Sequence, residues 1–189
     1  MSKILLNNQI EICDFGQPYF IAEMNTSHFG KMDVAMKMID EASNAGCDCV
    51  KFQSWSSDTL YSNSYYRENP IAKRFVNKFS LSPEQQKELS QYCKSVGISF
   101  ASTPYSNKEV DFLLDECGVP FIKIASMEIT NLPYLKYIGE TGSSIILSTG
   151  MADTDEIERA LDVIASTGNT KISILHCVSV YPSPPEIIN

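Results

Sequence analysis

The sequence predicts an α/β fold built on parallel strands, and two observations carry that expectation. One phrase recurs along the 189 residues: a short apolar strand, a polar connection, then an amphipathic helix that stops near a glycine. The strands are nearly continuous in apolar residues rather than alternating, which is the pattern of strands covered on both faces.

Six strands follow in order: "YFIAE" at 19–23, "CVKFQ" at 49–53, "ISFAST" at 98–103, "FIKIAS" at 121–126, "IILST" at 145–149 and "ISILHC" at 172–177. Between the first two, "MDVAMKMIDEASNAG" puts Val34, Met38, Ala42 and Ala45 on one helical face and ends at Gly46, a natural C-terminal stop. A second helix opens with "SPEQQKEL", where Ser82 is the N-cap, Pro83 occupies the first helical position and Gln85 closes a capping box. It stops before Gly97. "SNKEVDFLLDECG" repeats the logic with Val110, Leu113 and Leu114 inward and Gly118 as the stop. "DTDEIERALDVIASTG" leads with acidic residues that suit a helix N-terminus. Residues 54–81 break the pattern. They read as a long connection rich in Tyr, Ser and Asn, either functional or a decoration over the mouth of the fold.

Bulk composition narrows the function classes. A chain that is 43% hydrophobic with net charge −8 and no block of Lys or Arg is an ordinary globular domain, not a nucleic-acid or anionic-membrane binder. Residues 1–22 lack the order of a signal peptide and no apolar run has the length of a membrane span, so a cytoplasmic location is expected. The six cysteines lie scattered through apolar segments and read as small buried hydrophobes of a reducing compartment. With two histidines, His28 and His176, a zinc site from this chain alone is not expected.

Polar residues gather at the C-terminal ends of the predicted strands: Glu23; Lys51 with Gln53; Ser102 with Thr103; Lys123 with Ser126; Ser148 with Thr149; and His176, Ser179 and Tyr181. That rim is where parallel α/β folds bind ligands. Lys51 and Lys123 are flanked by apolar residues on both sides, and burying an unpaired ammonium is costly, so something negative is expected near each. Blander readings stay open. The lysines can snorkel to solvent, Ser148 and Thr149 can cap a helix, Glu23 can be a structural partner of a lysine, His28 can shape a turn and His176 can be a bonded core histidine. Two lysines with several hydroxyls and a carboxamide suit a phosphate that also bears a carboxylate, about three negative charges at neutral pH. Glu23 is then left for acid–base work or for a sugar hydroxyl.

The ordered set "FIAEMNTSHFG", "VKFQ", "FASTPY", "IKIASMEITNLPYLKYI", "IILSTGMA" and "LHCVSVYPSPPEIIN" resembles the sialic acid synthase family, the phosphoenolpyruvate-dependent synthases of N-acetylneuraminic, legionaminic and pseudaminic acids. The likeness runs from about residue 18 to residue 189. It departs from the family pattern at Asn25 and Ser27, where the family usually carries Gly and Asn.

The resemblance implies condensation of phosphoenolpyruvate with an N-acetylated aminosugar, such as N-acetylmannosamine, to a nine-carbon 2-keto acid and phosphate. By matching motifs, Lys51, Gln53, Thr103, Lys123, Ser126, Ser148 and Ser179 would hold phosphoenolpyruvate. Glu23 would handle a proton near the reacting carbon, and Glu128 and Tyr181 would lie on the sugar side. The implied fold is a TIM-type (β/α)8 barrel, typically about 250 residues, of which this chain carries about the first six βα units. Residues 1–189 therefore read as a single partial TIM-barrel synthase domain, a fragment or a truncated product. Two further strands, whose histidines would bind a divalent metal (Mn or Mg), and an antifreeze-like C-terminal domain are expected beyond it. The complete protein would be a homodimer. Two other readings remain: an aldolase forming a Schiff base through Lys123 or Lys51, and a non-catalytic remnant that binds anions.

Overall fold

The computed structural model describes residues 3–6, 10–180 and 182–188. The chain forms two compact units, one from Met1–Lys3 with Ile12–Pro120 and the other from Ile4–Glu11 with Phe121–Asn189. Strands β1 (Lys3–Leu6) and β2 (Ile10–Cys13) pair with each other and were not foreseen in the sequence.

In the first unit, β3 (Ile21–Glu23), β4 (Cys49–Ser54) and β5 (Ser99–Pro104) make a parallel three-stranded sheet. Its register sets Glu23 beside Lys51 and Gln53 beside Thr103. Successive side chains point to opposite faces of a strand, so Glu23, Lys51, Gln53 and Thr103 share one face. Phe52, Ser54, Phe100 and Ser102 share the other. The rings of Phe52 and Phe100 stack there at 5.7 Å.

Helix α1 (Met32–Asn44) covers that unit with Ala35, Ile39 and Ala42 buried, one position out of phase with the expected face for two of the three. Val34 and Met38 are half-buried and Ala45 is exposed. The apolar stripe is broad enough to allow either phase, and small Ala35, fully buried, is on the side facing the core. Residues 54–81 are not a loop. Helix α2 (Asn63–Glu68), capped by Ser62, and α3 (Pro70–Phe79), with Pro70 at its start, occupy much of the segment. They enclose a small core of Leu60, Tyr66 and Val76, joined by Trp55, Ala72 and Tyr105. Helix α4 (Pro83–Val96) has the expected capping box between Ser82 and Gln85 and ends at left-handed Gly97. Helix α5 (Asn107–Phe112) runs into a π-helical turn over Leu113–Cys117 before Gly118, a widening that the regular spacing did not signal.

The second unit repeats the arrangement. Strands β6 (Ile122–Ile124), β7 (Ile145–Ser148) and β8 (Ile172–Leu175) form a parallel sheet. Helices α6 (Leu132–Glu140) and α7 (Thr154–Ser166) pack together and bury Leu135, Ile138, Ala160 and Ile164. Asp153 caps α7 in a capping box with Glu156, so Ser148 and Thr149 are not its caps. The expected βα grammar holds across both sheets, and the fold class is α/β of the TIM-barrel type, represented among the described residues by six parallel strands of which the first five are each followed by a helix. Among the described residues, no helix is long and apolar enough to cross a membrane.

Candidate active site

In the first unit the site starts from strand parity. Lys51 is only 7% exposed. Its Nζ forms an ion pair with the Glu23 carboxylate of the adjacent strand and donates to Thr103 Oγ1 at 3.1 Å. The carboxylate also accepts from the Asn25 backbone N–H at 2.9 Å. Asn25 adopts a left-handed φ of 45°, a conformation that Gly and Asn tolerate best, so Asn suits a position where the resemblance expects Gly. Gln53 is half-buried on the same face. Of the readings left open by the sequence, the pairing of Glu23 with a lysine is the one observed.

The turn after β3 is held from behind. His28 is buried, accepts the Gly30 N–H on Nδ1 at 3.0 Å and packs on Phe52. Burial lowers its pKa from the ordinary value, keeping the ring neutral. It therefore shapes a turn. Gly30 has φ +71°, and a Cβ there would meet the Lys78 carbonyl oxygen at 2.3 Å, so glycine is required where this turn meets the end of α3.

On the opposite face of the sheet lies a polar network that the sequence reading missed. Ser54 Oγ donates to Gln86 Oε1 and lies 2.7 Å from Ser102 Oγ, while Gln86 Nε2 donates to the Leu81 carbonyl at 3.2 Å. Gln86, Leu89, Ser90 and Cys93 form the buried stripe of α4 at helical spacing, and a glutamine in such a stripe was the available signal. A second omission is Glu109. Its spacing after Ser106 is that of a capping box, yet its carboxylate accepts the Tyr105 N–H at 2.7 Å and the Thr59 hydroxyl at 2.8 Å. Burial raises its pKa and these bonds oppose the rise.

In the second unit Lys123 is also 7% exposed. Its Nζ donates to Ser148 Oγ at 2.5 Å and to the Ile124 carbonyl at 2.6 Å. Ser126 Oγ accepts the Gly150 N–H at 3.1 Å, and Ser179 Oγ donates to the Gly150 carbonyl at 2.5 Å. A Cβ on Gly150 would lie 3.0 Å from Ser179 Oγ and 3.4 Å from Ser126 Oγ, so the three residues are in close contact. Thr149 Oγ1 donates to the Leu175 carbonyl. Glu128 accepts from the Asn131 side chain at 2.8 Å, next to the N-terminus of α6 that Asn131 caps. His176 is exposed rather than in the core, because it follows the outward end of β8. Tyr181 lies outside the described residues.

All six thiols are free. Burial pushes Cys49 and Cys93 up to about 12 and Cys117 to about 11, which keeps them protonated and unreactive. Among the described residues no group of three or more His, Cys, Asp or Glu side chains is placed to hold a metal ion. The residues described here do not fit the divalent metal that the resemblance implies.

Comparison with known proteins places these features in one lineage. The chain is 41% identical over 180 residues to N,N'-diacetyllegionaminic acid synthase of Campylobacter jejuni, covering 89% of this chain and 54% of that protein. It is 38% identical over 177 residues to the spore coat polysaccharide biosynthesis protein SpsE of Bacillus subtilis, covering 90% and 47%. It superposes on the crystal structure of the N-acetylneuraminic acid synthetase of Leptospira borgpetersenii, solved in complex with citrate, with TM-score 0.89 at 31% identity, covering 100% of this chain and 63% of that one. The chain spans about half the length of the curated relatives it matches. Residues 38–189 match the family described as NeuB, and the chain belongs to the NeuB family.

Proposed function

We propose that the protein takes part in the condensation of phosphoenolpyruvate with an N-acetylated aminosugar to give a nine-carbon 2-keto sugar acid and phosphate. The observation that carries this reading is the environment of the two lysines. Both are nine-tenths buried in parallel strands and both donate to a hydroxyl of the neighbouring strand, Thr103 for Lys51 and Ser148 for Lys123. Partial desolvation strengthens the attraction of ammonium groups held this way to phosphate or carboxylate.

In this reading C3 of phosphoenolpyruvate attacks the aldehyde of the open-chain sugar, water adds at C2, and phosphate leaves with cleavage of its C–O bond. By the resemblance, Lys51, Gln53 and Thr103 of the first unit and Lys123, Ser126, Ser148 and Ser179 of the second are the expected phosphoenolpyruvate residues. Glu23 would handle the proton: its carboxylate is half exposed and forms an ion pair with Lys51. Glu128 and Tyr181 belong to the sugar side. The resemblance implies a divalent metal, which would supply polarisation of the aldehyde; its ligands are not among the described residues. The proposal extends to a homodimer of the complete protein.

The test is phosphate release from phosphoenolpyruvate with Mn²⁺ and N-acetylmannosamine or a diacetamido relative, using the longest natural product of the gene. Sugar-dependent release supports the reading. A borohydride-trapped adduct of pyruvate on Lys51 or Lys123 would instead establish a Schiff-base aldolase.

A further inference from the structure

We propose that Glu109 is a positioning residue: its carboxylate clamps the connection that follows β4 to the turn that follows β5, and so fixes Gln53 and Thr103 for the ligand. This rests on the functional reading above for the identity of the ligand, and on geometry for the clamp. Two strands that each deliver a binding residue need their outgoing connections held together, because neither connection has ladder hydrogen bonds to do it.

Glu109 supplies that link. One carboxylate oxygen accepts the Tyr105 N–H at 2.7 Å, two residues past Thr103. The other accepts the Thr59 hydroxyl at 2.8 Å. Thr59 Oγ1 in turn accepts the Ser56 N–H at 2.9 Å, which closes the turn two residues past Ser54, the last residue of β4. The rings of Trp55 and Tyr105, 6.2 Å apart, lie between the same two connections. A residue that only capped α5 would have no need to cross to Thr59, fifty positions away in sequence.

The clamp makes a chemical prediction about glutamine. Its amide oxygen can accept the Tyr105 N–H while its amide N–H donates to the Thr59 hydroxyl, so Glu109→Gln preserves the bridge. Glu109→Ala and Thr59→Val both remove it. Calorimetry with phosphoenolpyruvate and hydrogen–deuterium exchange, on the longest natural product of the gene and these variants, test the idea. E109A and T59V should each raise Kd about tenfold and speed exchange across residues 54–60 and 103–106. The double variant should be no worse than either single one, and E109Q should stay within about twofold of the parent.

T59V leaves the helix cap intact but also frees the Ser56 N–H, so the deciding readouts are affinity and exchange across 103–106: a role confined to capping would leave both unchanged and would overturn the clamp. Additive effects in the double variant would overturn it as well. A parent chain that fails to bind phosphoenolpyruvate refutes the functional reading, and the exchange pattern alone then decides whether Glu109 holds the two connections.

Discussion

Lys123 reaches diagonally across adjacent parallel strands to Ser148: its register partner in β7 is Ile146, yet its Nζ donates to the hydroxyl two residues further on, at 2.5 Å. The long side chain is thereby drawn along the strand direction toward the carboxyl end of β7. An ammonium in this position is oriented before any ligand arrives, which reduces the side-chain entropy lost on binding.

Lys123→Ala is therefore expected to abolish measurable phosphoenolpyruvate binding, and Ser148→Ala to weaken it about tenfold by freeing the lysine. Titration calorimetry on folded variants is the check. Unchanged affinity in Lys123→Ala would remove this lysine from the site.

Glu23→Gln should depress turnover far more than phosphoenolpyruvate affinity, assayed in the longest natural product of the gene. The amide still accepts the Asn25 N–H that the carboxylate accepts at 2.9 Å, so the turn survives while the base is lost. Full turnover in the variant would assign the proton to another group.

His28 predicts a pH dependence of stability. Burial lowers its folded-state pKa below the ordinary 6.5, so below that pH the unfolded chain binds the proton and the folded chain resists it. Its contribution is complete above pH 6.5 and is lost as the pH falls toward the depressed value. Urea midpoints measured from pH 7 down to about 5 should decline, and His28→Asn should flatten that part of the curve. An identical slope in the variant would assign the decline to other groups.

Gly30→Ala should destabilise the chain by on the order of 2–4 kcal/mol, because a Cβ would meet the Lys78 carbonyl oxygen at 2.3 Å in a left-handed backbone. Gly46→Ala is the control: its φ of +80° is similar but nothing lies within 4 Å of the added carbon, so its cost should be about 1 kcal/mol. Equal losses in denaturant midpoint would show that backbone strain alone matters at Gly30.

The strands and the long helices were legible because their signals are local. "CVKFQ" is apolar enough to be buried on both faces, and Ser82, Pro83 and Gln85 form a capping box whose members are all within one turn. The buried state of Lys51 and Lys123 was legible too, since no residue beside them offered a route to solvent. The phase of α1 was not, because alanine and methionine crowd both candidate stripes and only the packed unit chooses between them. Helices α2 and α3 were hidden by their Tyr, Ser and Asn content, although Ser62 and Pro70 were visible start signals. The partner of Glu109 was beyond reach. Thr59 lies fifty residues away, and no spacing rule connects a helix N-terminus to a turn in a different connection.

The parity of β4 bears on how this protein can change length over evolutionary time. Lys51 and Gln53 face one way while Phe52 and Ser54 face the other, so deleting or inserting one residue inside Cys49–Ser54 would exchange ammonium for phenyl on both sides at once. Such an indel would spoil the packing and the binding face together, and no second substitution could repair both. The stretch from Trp55 onward has no such alternation to protect. Lineages can therefore be expected to tolerate length changes between Ser54 and Ser82, away from the Ser56–Thr59 turn and the Leu60, Tyr66 and Val76 core, more readily than in β4, a pattern that an alignment of relatives would display as a gap-free block beside a ragged one.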